Sequence, residues 1–206
     1  MKLLILGAGG RTGRLLVDQA VTAGHAVTGF VRSKPDEGDF PPGVAIVVGD
    51  ARNETDLKKA LKDQEAIIST LGSSKPGDRV VAASTAALIN SAEIIGVKRV
   101  IVMSSFLVTQ NFQPHPIVKF ILGLMNTIVK DINSGEELLR RSSLDYTIVY
   151  ATRLTNNPFG PRYKIVSESE KIGASDKISR ADAADFLLKQ LYDKRYIRKS
   201  VIITDK

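Results

Sequence analysis

Leu3-Leu4-Ile5-Leu6-Gly7-Ala8-Gly9-Gly10-Arg11-Thr12-Gly13 is the stretch that decides the fold. Its four leading apolar residues read as a buried strand, and residues 14–23 read as a helix. Between them Gly7, Gly10 and Gly13 fall in the spacing G-x-x-G-x-x-G. Glycine permits a tight turn there and lets backbone approach a pyrophosphate closely. The N-terminus of the following helix adds unpaired N–H groups and the positive end of its dipole. Gly7, Ala8, Gly9, Gly10, Arg11, Thr12 and Gly13 are therefore the expected dinucleotide cradle.

Outward from this turn, apolar runs alternate with helix-like segments. Residues 26–31, 44–48, 66–70, 99–103 and 146–149 read as strands, and residues 55–61 and 78–95 as helices, the latter rich in alanine. Ser179 reads as the N-cap of a helix over residues 180–191, with Asp182 in its first turn. Short, continuously apolar strands between helices are the pattern of a parallel sheet covered on both faces. The right-handed crossover rule then gives an α/β fold with a Rossmann-type, doubly wound parallel sheet. A chain of 206 residues suits a single domain, 1–206, with a small substrate-side region from about residue 150 to residue 206. Residues 33–43 and 152–161 carry the clearest loop signals, and each follows the carboxyl end of a strand, where such sheets bind ligands.

Enzymes that use NAD carry an acid about 20 residues past the glycine motif, where it holds the ribose 2′-hydroxyl. Here the second strand ends in Val31-Arg32-Ser33-Lys34. An acid would repel a 2′-phosphate; Arg32 can pair with one, with Ser33 and Lys34 close by. The expected cofactor is NADP(H) rather than NAD(H).

Composition narrows the function classes. There is no cysteine, which removes disulfides, thiolate metal sites and cysteine nucleophiles, and no metal site is expected. The residues are 43% hydrophobic and 25% charged, as in an ordinary globular domain. No apolar run has the length of a signal peptide or a membrane span, so a soluble, cytoplasmic monomer or homodimer is the expectation. The net charge is +7, and basic residues thicken at Lys189, Lys194, Arg195, Arg198 and Lys199. Only Tyr192 and Tyr196 accompany them, too few aromatics for a single-strand platform, which disfavours nucleic acid as the partner.

Further segments carry a family resemblance. They are Ala23-Gly24-His25-Ala26-Val27, Gly49-Asp50, Thr70-Leu71-Gly72, Met103-Ser104-Ser105, Leu144-Asp145-Tyr146-Thr147-Ile148-Val149 and Ile178-Ser179-Arg180-Ala181-Asp182. With the glycine turn, in this order and spacing, the chain resembles the atypical short-chain dehydrogenase/reductases over nearly its whole length. Within them it resembles the NmrA-like proteins and the biliverdin reductase B (flavin reductase) type. The resemblance implies that Asp50, with Ala51 alongside, accepts a hydrogen bond from the adenine amino group. It implies that Leu71 and Gly72 line the cofactor, that Ser104 and Ser105 lie beside the nicotinamide, and that Thr152 and Arg153 close over it. Two positions depart from the pattern. Tyr150-Ala151 stands where relatives often have Arg-Pro, which bears on the backbone near the nicotinamide, and Gly9 stands where threonine is common.

Typical short-chain dehydrogenases use a Tyr-x-x-x-Lys pair for proton transfer to a carbonyl, and no tyrosine here has a lysine four residues on. Reduction of a flavin or another flat acceptor asks less of the protein, because the cofactor delivers the hydride and the protein holds two rings in contact. Ser105 is the candidate hydroxyl for protonation. Phe106 and Phe112 are the candidate stacking residues, with Ile117, Phe120 and Ile121 as an apolar wall. His25 reads as a structural residue in a helix-to-strand turn, and His115 as a loop residue. The expected activity is NADPH-dependent reduction of a flavin-like acceptor. The alternative is an NmrA-like protein that binds NADP(H) without turnover and signals redox state to a partner.

Overall fold

The structure is a computed structural model and describes residues 1–72, 79–113, 123 and 126–205. The chain begins with β1 (Lys2–Leu6), α1 (Arg11–Thr22), β2 (Ala26–Val31), β3 (Ala45–Val48), α2 (Glu54–Leu61), β4 (Ala66–Ser69), α3 (Val80–Ile95) and β5 (Arg99–Ser105). It continues with α4 (Asn126–Arg141), β6 (Asp145–Ala151), β7 (Arg153–Thr155), β8 (Tyr163–Ile165), β9 (Lys177–Ser179), α5 (Arg180–Lys189) and β10 (Lys199–Asp205). The main sheet has eight strands in the order β3-β2-β1-β4-β5-β6-β10-β8. Every pairing in it is parallel except β10 with β8. β7 and β9 form a separate two-stranded parallel ribbon. The order reverses direction at β1, so the crevice beyond the carboxyl ends of β1 and β4 is where a doubly wound sheet binds its ligand.

The apolar runs are continuous because both faces of the sheet are covered. Leu4, Leu6, Ile67, Val100, Ile148 and Ile202 point to one core, which includes residues of α2, α3 and α4. Leu3, Ile5, Ile68, Ile101, Val149 and Ile203 alternate with them and point to the other, beneath α1 and α5. Gly135 of α4 packs close to Val81 and Thr85 of α3, and Asp131 of α4 accepts hydrogen bonds from the N–H groups of Val81 and Ala82 at 3.0 Å each.

Several boundaries differ from the sequence reading. The first helix begins at Arg11 rather than at residue 14, so Arg11, Thr12 and Gly13 form its first turn. The loop expected over residues 152–161 contains β7, which pairs with β9. β10 lies beyond the strands read from sequence; it follows the basic C-terminal run, three of whose side chains are engaged within the fold. Lys189 pairs with Asp185 and Arg195 with Asp193, and Arg198 donates to the carbonyls of Ser142 and Leu144. His115, Ile117, Phe120 and Ile121 lie outside the described residues. No helix among the described residues is long and apolar enough to cross a membrane.

Candidate functional site

The turn after β1 is shaped by its glycines. Gly7 has φ +78°, a conformation that side chains rarely adopt, and its carbonyl accepts the Gly10 N–H at 2.9 Å. A Cβ on Gly13 would run into that same Gly7 carbonyl. Gly10 is the residue before α1, and its carbonyl accepts the Arg14 N–H at 2.9 Å. The N–H groups of Arg11, Thr12 and Gly13 precede the helical ladder, and no side chain caps this end. The N-terminus of α1 is thus built as an anion site with open space above Gly9 and Gly10, both exposed.

A cavity of about 500 Å³ runs from this turn along the ends of β2 and β3. Gly7, Gly9, Gly10, Arg32, Ser33, Lys34, Asp50, Ala51, Leu71 and Gly72 line it, as a dinucleotide groove requires. Arg32 is exposed and makes no side-chain hydrogen bond or ion pair among the described residues, which leaves its guanidinium available to a ligand. The Asp50 carboxylate, at the groove wall, is held by Arg52, with Nη2 at 2.6 Å from Oδ2, and this pairing keeps it below the usual carboxylate range. Arg14, which the sequence reading did not single out, closes the far wall. Its guanidinium grips Asp39 of the 33–43 loop at 2.7 Å and 3.0 Å, and it lies over the Phe40 ring.

Thr70, Leu71 and Gly72 also line a second cavity of about 400 Å³ beyond β5 and β6. Its walls are mostly apolar: Val102, Met103, Phe106, Leu107, Leu139, Ala151 and Leu154. Ser104, Ser105, Glu136, Thr152, Arg153 and Arg180 supply its polar groups. Thr152 is 1% exposed and bonds Thr204 at 3.1 Å, so its hydroxyl serves the protein rather than a ligand. Phe106 lines the cavity, but Phe112 lines neither one. It is 8% exposed and packs edge-on against Phe106, with ring centroids 4.9 Å apart. Its loop is pinned by Asn111, which donates to the carbonyls of Ser167, Glu168 and Glu170. The expected stacking role of Phe112 is therefore occupied by an internal contact.

The two serines at the end of β5 are wired differently. Ser105 Oγ accepts the Leu107 N–H at 3.4 Å, which leaves its own proton free of any partner among the described residues. Ser104 Oγ donates to Glu136 Oε1 at 2.6 Å. Glu136 is 5% exposed, and its second oxygen receives the Tyr150 hydroxyl at 2.6 Å and Arg140 Nη2 at 3.1 Å. Burial, with Glu136 beside it, pushes the Tyr150 hydroxyl up to about 12, so it stays protonated at any working pH. Sequence reasoning missed this cluster. Glu136 and Arg140 have the i, i+4 spacing of an ordinary helix-surface pair, and nothing in their spacing distinguishes a buried one.

A glycine turn opening onto a helix N-terminus, with a basic second strand end, defines a dinucleotide-binding Rossmann protein. The family model for NAD(P)H-binding proteins matches residues 7–194, and the chain belongs to that family. It is 28% identical, over 98% of its length and 76% of the other, to an uncharacterized chloroplastic protein of Arabidopsis thaliana. Among solved structures, a short-chain dehydrogenase/reductase from Veillonella parvula in complex with NADP superposes with a TM-score of 0.80 at 22% identity, over 98% of this chain and 93% of that one. ChuY, an anaerobillin reductase of Escherichia coli O157:H7, superposes with a TM-score of 0.80 at 20% identity, over 100% and 97%. At such identities the likeness speaks to the fold alone.

Proposed function

We propose that this protein is an NADPH-dependent reductase of a flat conjugated acceptor, with free flavin as the first candidate. The observation that carries the reading is the junction of the two cavities at Thr70, Leu71 and Gly72. A dinucleotide laid from Arg32 across the glycine turn reaches this junction with its nicotinamide end, and the apolar cavity begins there. A bound, reduced nicotinamide supplies a hydride. The protein's part is to hold a planar acceptor against that ring and to keep water from it, which the apolar walls do. The second cavity has the size and apolar character of a small-molecule site. Ser105, with its proton uncommitted, is the group that can donate to the reduced acceptor and regain a proton from solvent. The region from about residue 150 onward then forms the substrate side, through Arg153, Leu154 and Arg180. NADP(H) is favoured over NAD(H) by Arg32, Ser33 and Lys34 around the adenosine end of the groove.

ChuY, by its name an anaerobillin reductase, is a precedent for a reductase on this fold, and the apolar cavity of the present chain has the size for a planar acceptor. The test is a screen of NADPH oxidation against FMN, FAD, biliverdin and quinones, followed by loss of the dihydronicotinamide absorbance. Turnover with at least one flavin is expected. Tight NADPH binding without oxidation by any acceptor overturns the reductase and supports a sensor of cofactor redox state.

A further inference from the structure

Ser104 and Tyr150 are paired residues on adjacent parallel strands, so their side chains leave the sheet on the same face. α4 covers that face, and Glu136 projects from it between the two hydroxyls. The result is a buried carboxylate that receives three donors: Ser104 on one oxygen, Tyr150 and Arg140 on the other. Arg140 also donates to the Tyr150 hydroxyl at 2.8 Å, which closes the cluster on the side away from the cavity. On the outer side Ser104 and Glu136 both line the apolar cavity.

A serine hydroxyl has one proton and two lone pairs. With its proton committed to Glu136, Ser104 presents only lone pairs to the cavity. We infer that Glu136 is a positioning residue that fixes Ser104 as a hydrogen-bond acceptor, so that the site selects a flat acceptor carrying a ring N–H over one carrying carbonyl oxygens alone. The inference rests on the reading of this cavity as the acceptor site. It separates chemical classes that the apolar walls cannot. An isoalloxazine or a pyrrole-containing ring offers an N–H to Ser104. A quinone offers oxygens that meet its lone pairs and leave both acceptors unsatisfied in a dry pocket. It also separates the two serines, with Ser104 orienting the ring and Ser105 keeping the transferable proton.

A matched pair of ligands tests this without turnover. Lumiflavin carries one ring N–H, and 3-methyllumiflavin has it replaced by methyl. Both are titrated calorimetrically into the protein loaded with NADP⁺, in the unmutated chain, Ser104→Ala and Glu136→Gln. The unmutated protein is expected to prefer lumiflavin on the order of tenfold, the effect of one buried hydrogen bond. Ser104→Ala removes the acceptor and brings the preference close to one. Glu136→Gln does the same by inversion. Tyr150 and Arg140 are donors, so they hold the amide oxygen on their side and turn the amide NH₂ toward Ser104, whose proton then points into the cavity. Ser104→Ala is a small change at a half-buried position, so the test stands even if Glu136→Gln fails to fold.

Equal affinity for the two ligands in the unmutated protein, or a preference that survives Ser104→Ala, overturns the inference and leaves the reductase reading in place. If Ser104→Ala instead weakens NADP⁺ itself and leaves the ligand preference intact, the donor is the cofactor's carboxamide and the inference is again overturned. If neither ligand binds, the cavity does not take an isoalloxazine, and the inference falls together with flavin as the first candidate acceptor.

Discussion

Gly10 and Gly13 sit one helical turn apart and are expected to fail differently when enlarged. Gly10 has φ −75° and ψ 163°, extended backbone that any residue adopts, and a Cβ there would meet only the Gly7 carbonyl at 3.2 Å. The position is exposed on the open side of the turn. Gly10→Val is therefore expected to fold, and to project its methyl groups where the pyrophosphate must approach. Loss of NADPH binding in a variant with a normal melting profile is the expected outcome; an unchanged NADPH titration would refute the anion site. Gly13 has no such freedom, because its Cβ would collide with backbone. Its alanine variant is expected to lose stability together with binding. Arg32 acts at the other end of the groove. A charge-assisted hydrogen bond is worth about 1.5–3 kcal/mol, so Arg32→Ala should weaken NADPH by roughly tenfold or more and leave NADH nearly unchanged. Equal affinities of the unmutated protein for the two cofactors would remove the basis for NADP(H) preference.

At the scale of elements, α5 offers the clearest test of a local signal. Ser179 is 1% exposed, and its Oγ accepts the Asp182 N–H at 3.0 Å, the capping geometry expected from sequence. Asp182 in turn receives the Gly160 N–H at 3.0 Å and ties the preceding loop to the helix. Ser179→Ala should lower stability by about 1 kcal/mol, read as a shift in the denaturation midpoint. Runs in which apolar residues predominate made β1, β2, β3, β4, β5 and β6 legible. β7, β8 and β9 were not legible: three residues each give no period to detect. β10 was hidden because its first residues, Lys199 and Ser200, continue a basic run. The site divides along the same line. The glycine turn and Arg32 could be read because backbone geometry and a missing acid leave marks in the sequence. The Glu136 cluster could not, since it joins α4, β5 and β6, and only the sheet register brings Ser104 and Tyr150 together.

At the scale of the whole molecule, the dependence of stability on pH should trace largely to one buried imidazole. His25 lies between α1 and β2, where its backbone N–H donates to the Ala20 carbonyl at 3.0 Å. The residue is 9% exposed, its Nδ1 has no partner among the described residues, and the Tyr192 ring lies beside it with centroids 6.2 Å apart. Burial lowers its pKa, helped by the N-terminal ammonium and opposed by Glu65. The folded protein thus holds His25 neutral at a pH where the unfolded chain, with an ordinary value of about 6.5, has begun to bind a proton. Stability is fully present above about pH 6.5 and is lost as pH falls from there through the folded value. Carboxylates held low by arginine partners, such as Asp39 beside Arg14 and Asp50 beside Arg52, follow the same sign in a lower window. They contribute above the ordinary carboxylate range of about 4 and lose that contribution only below it, so the two windows separate. The midpoint of thermal unfolding should therefore fall between about pH 7.5 and about pH 5. His25→Asn should lower the midpoint at neutral pH, because a buried ring is lost, yet flatten its dependence over that interval. A variant that keeps the full slope would assign the titration to another group and show that the turn between α1 and β2 tolerates a charged imidazole.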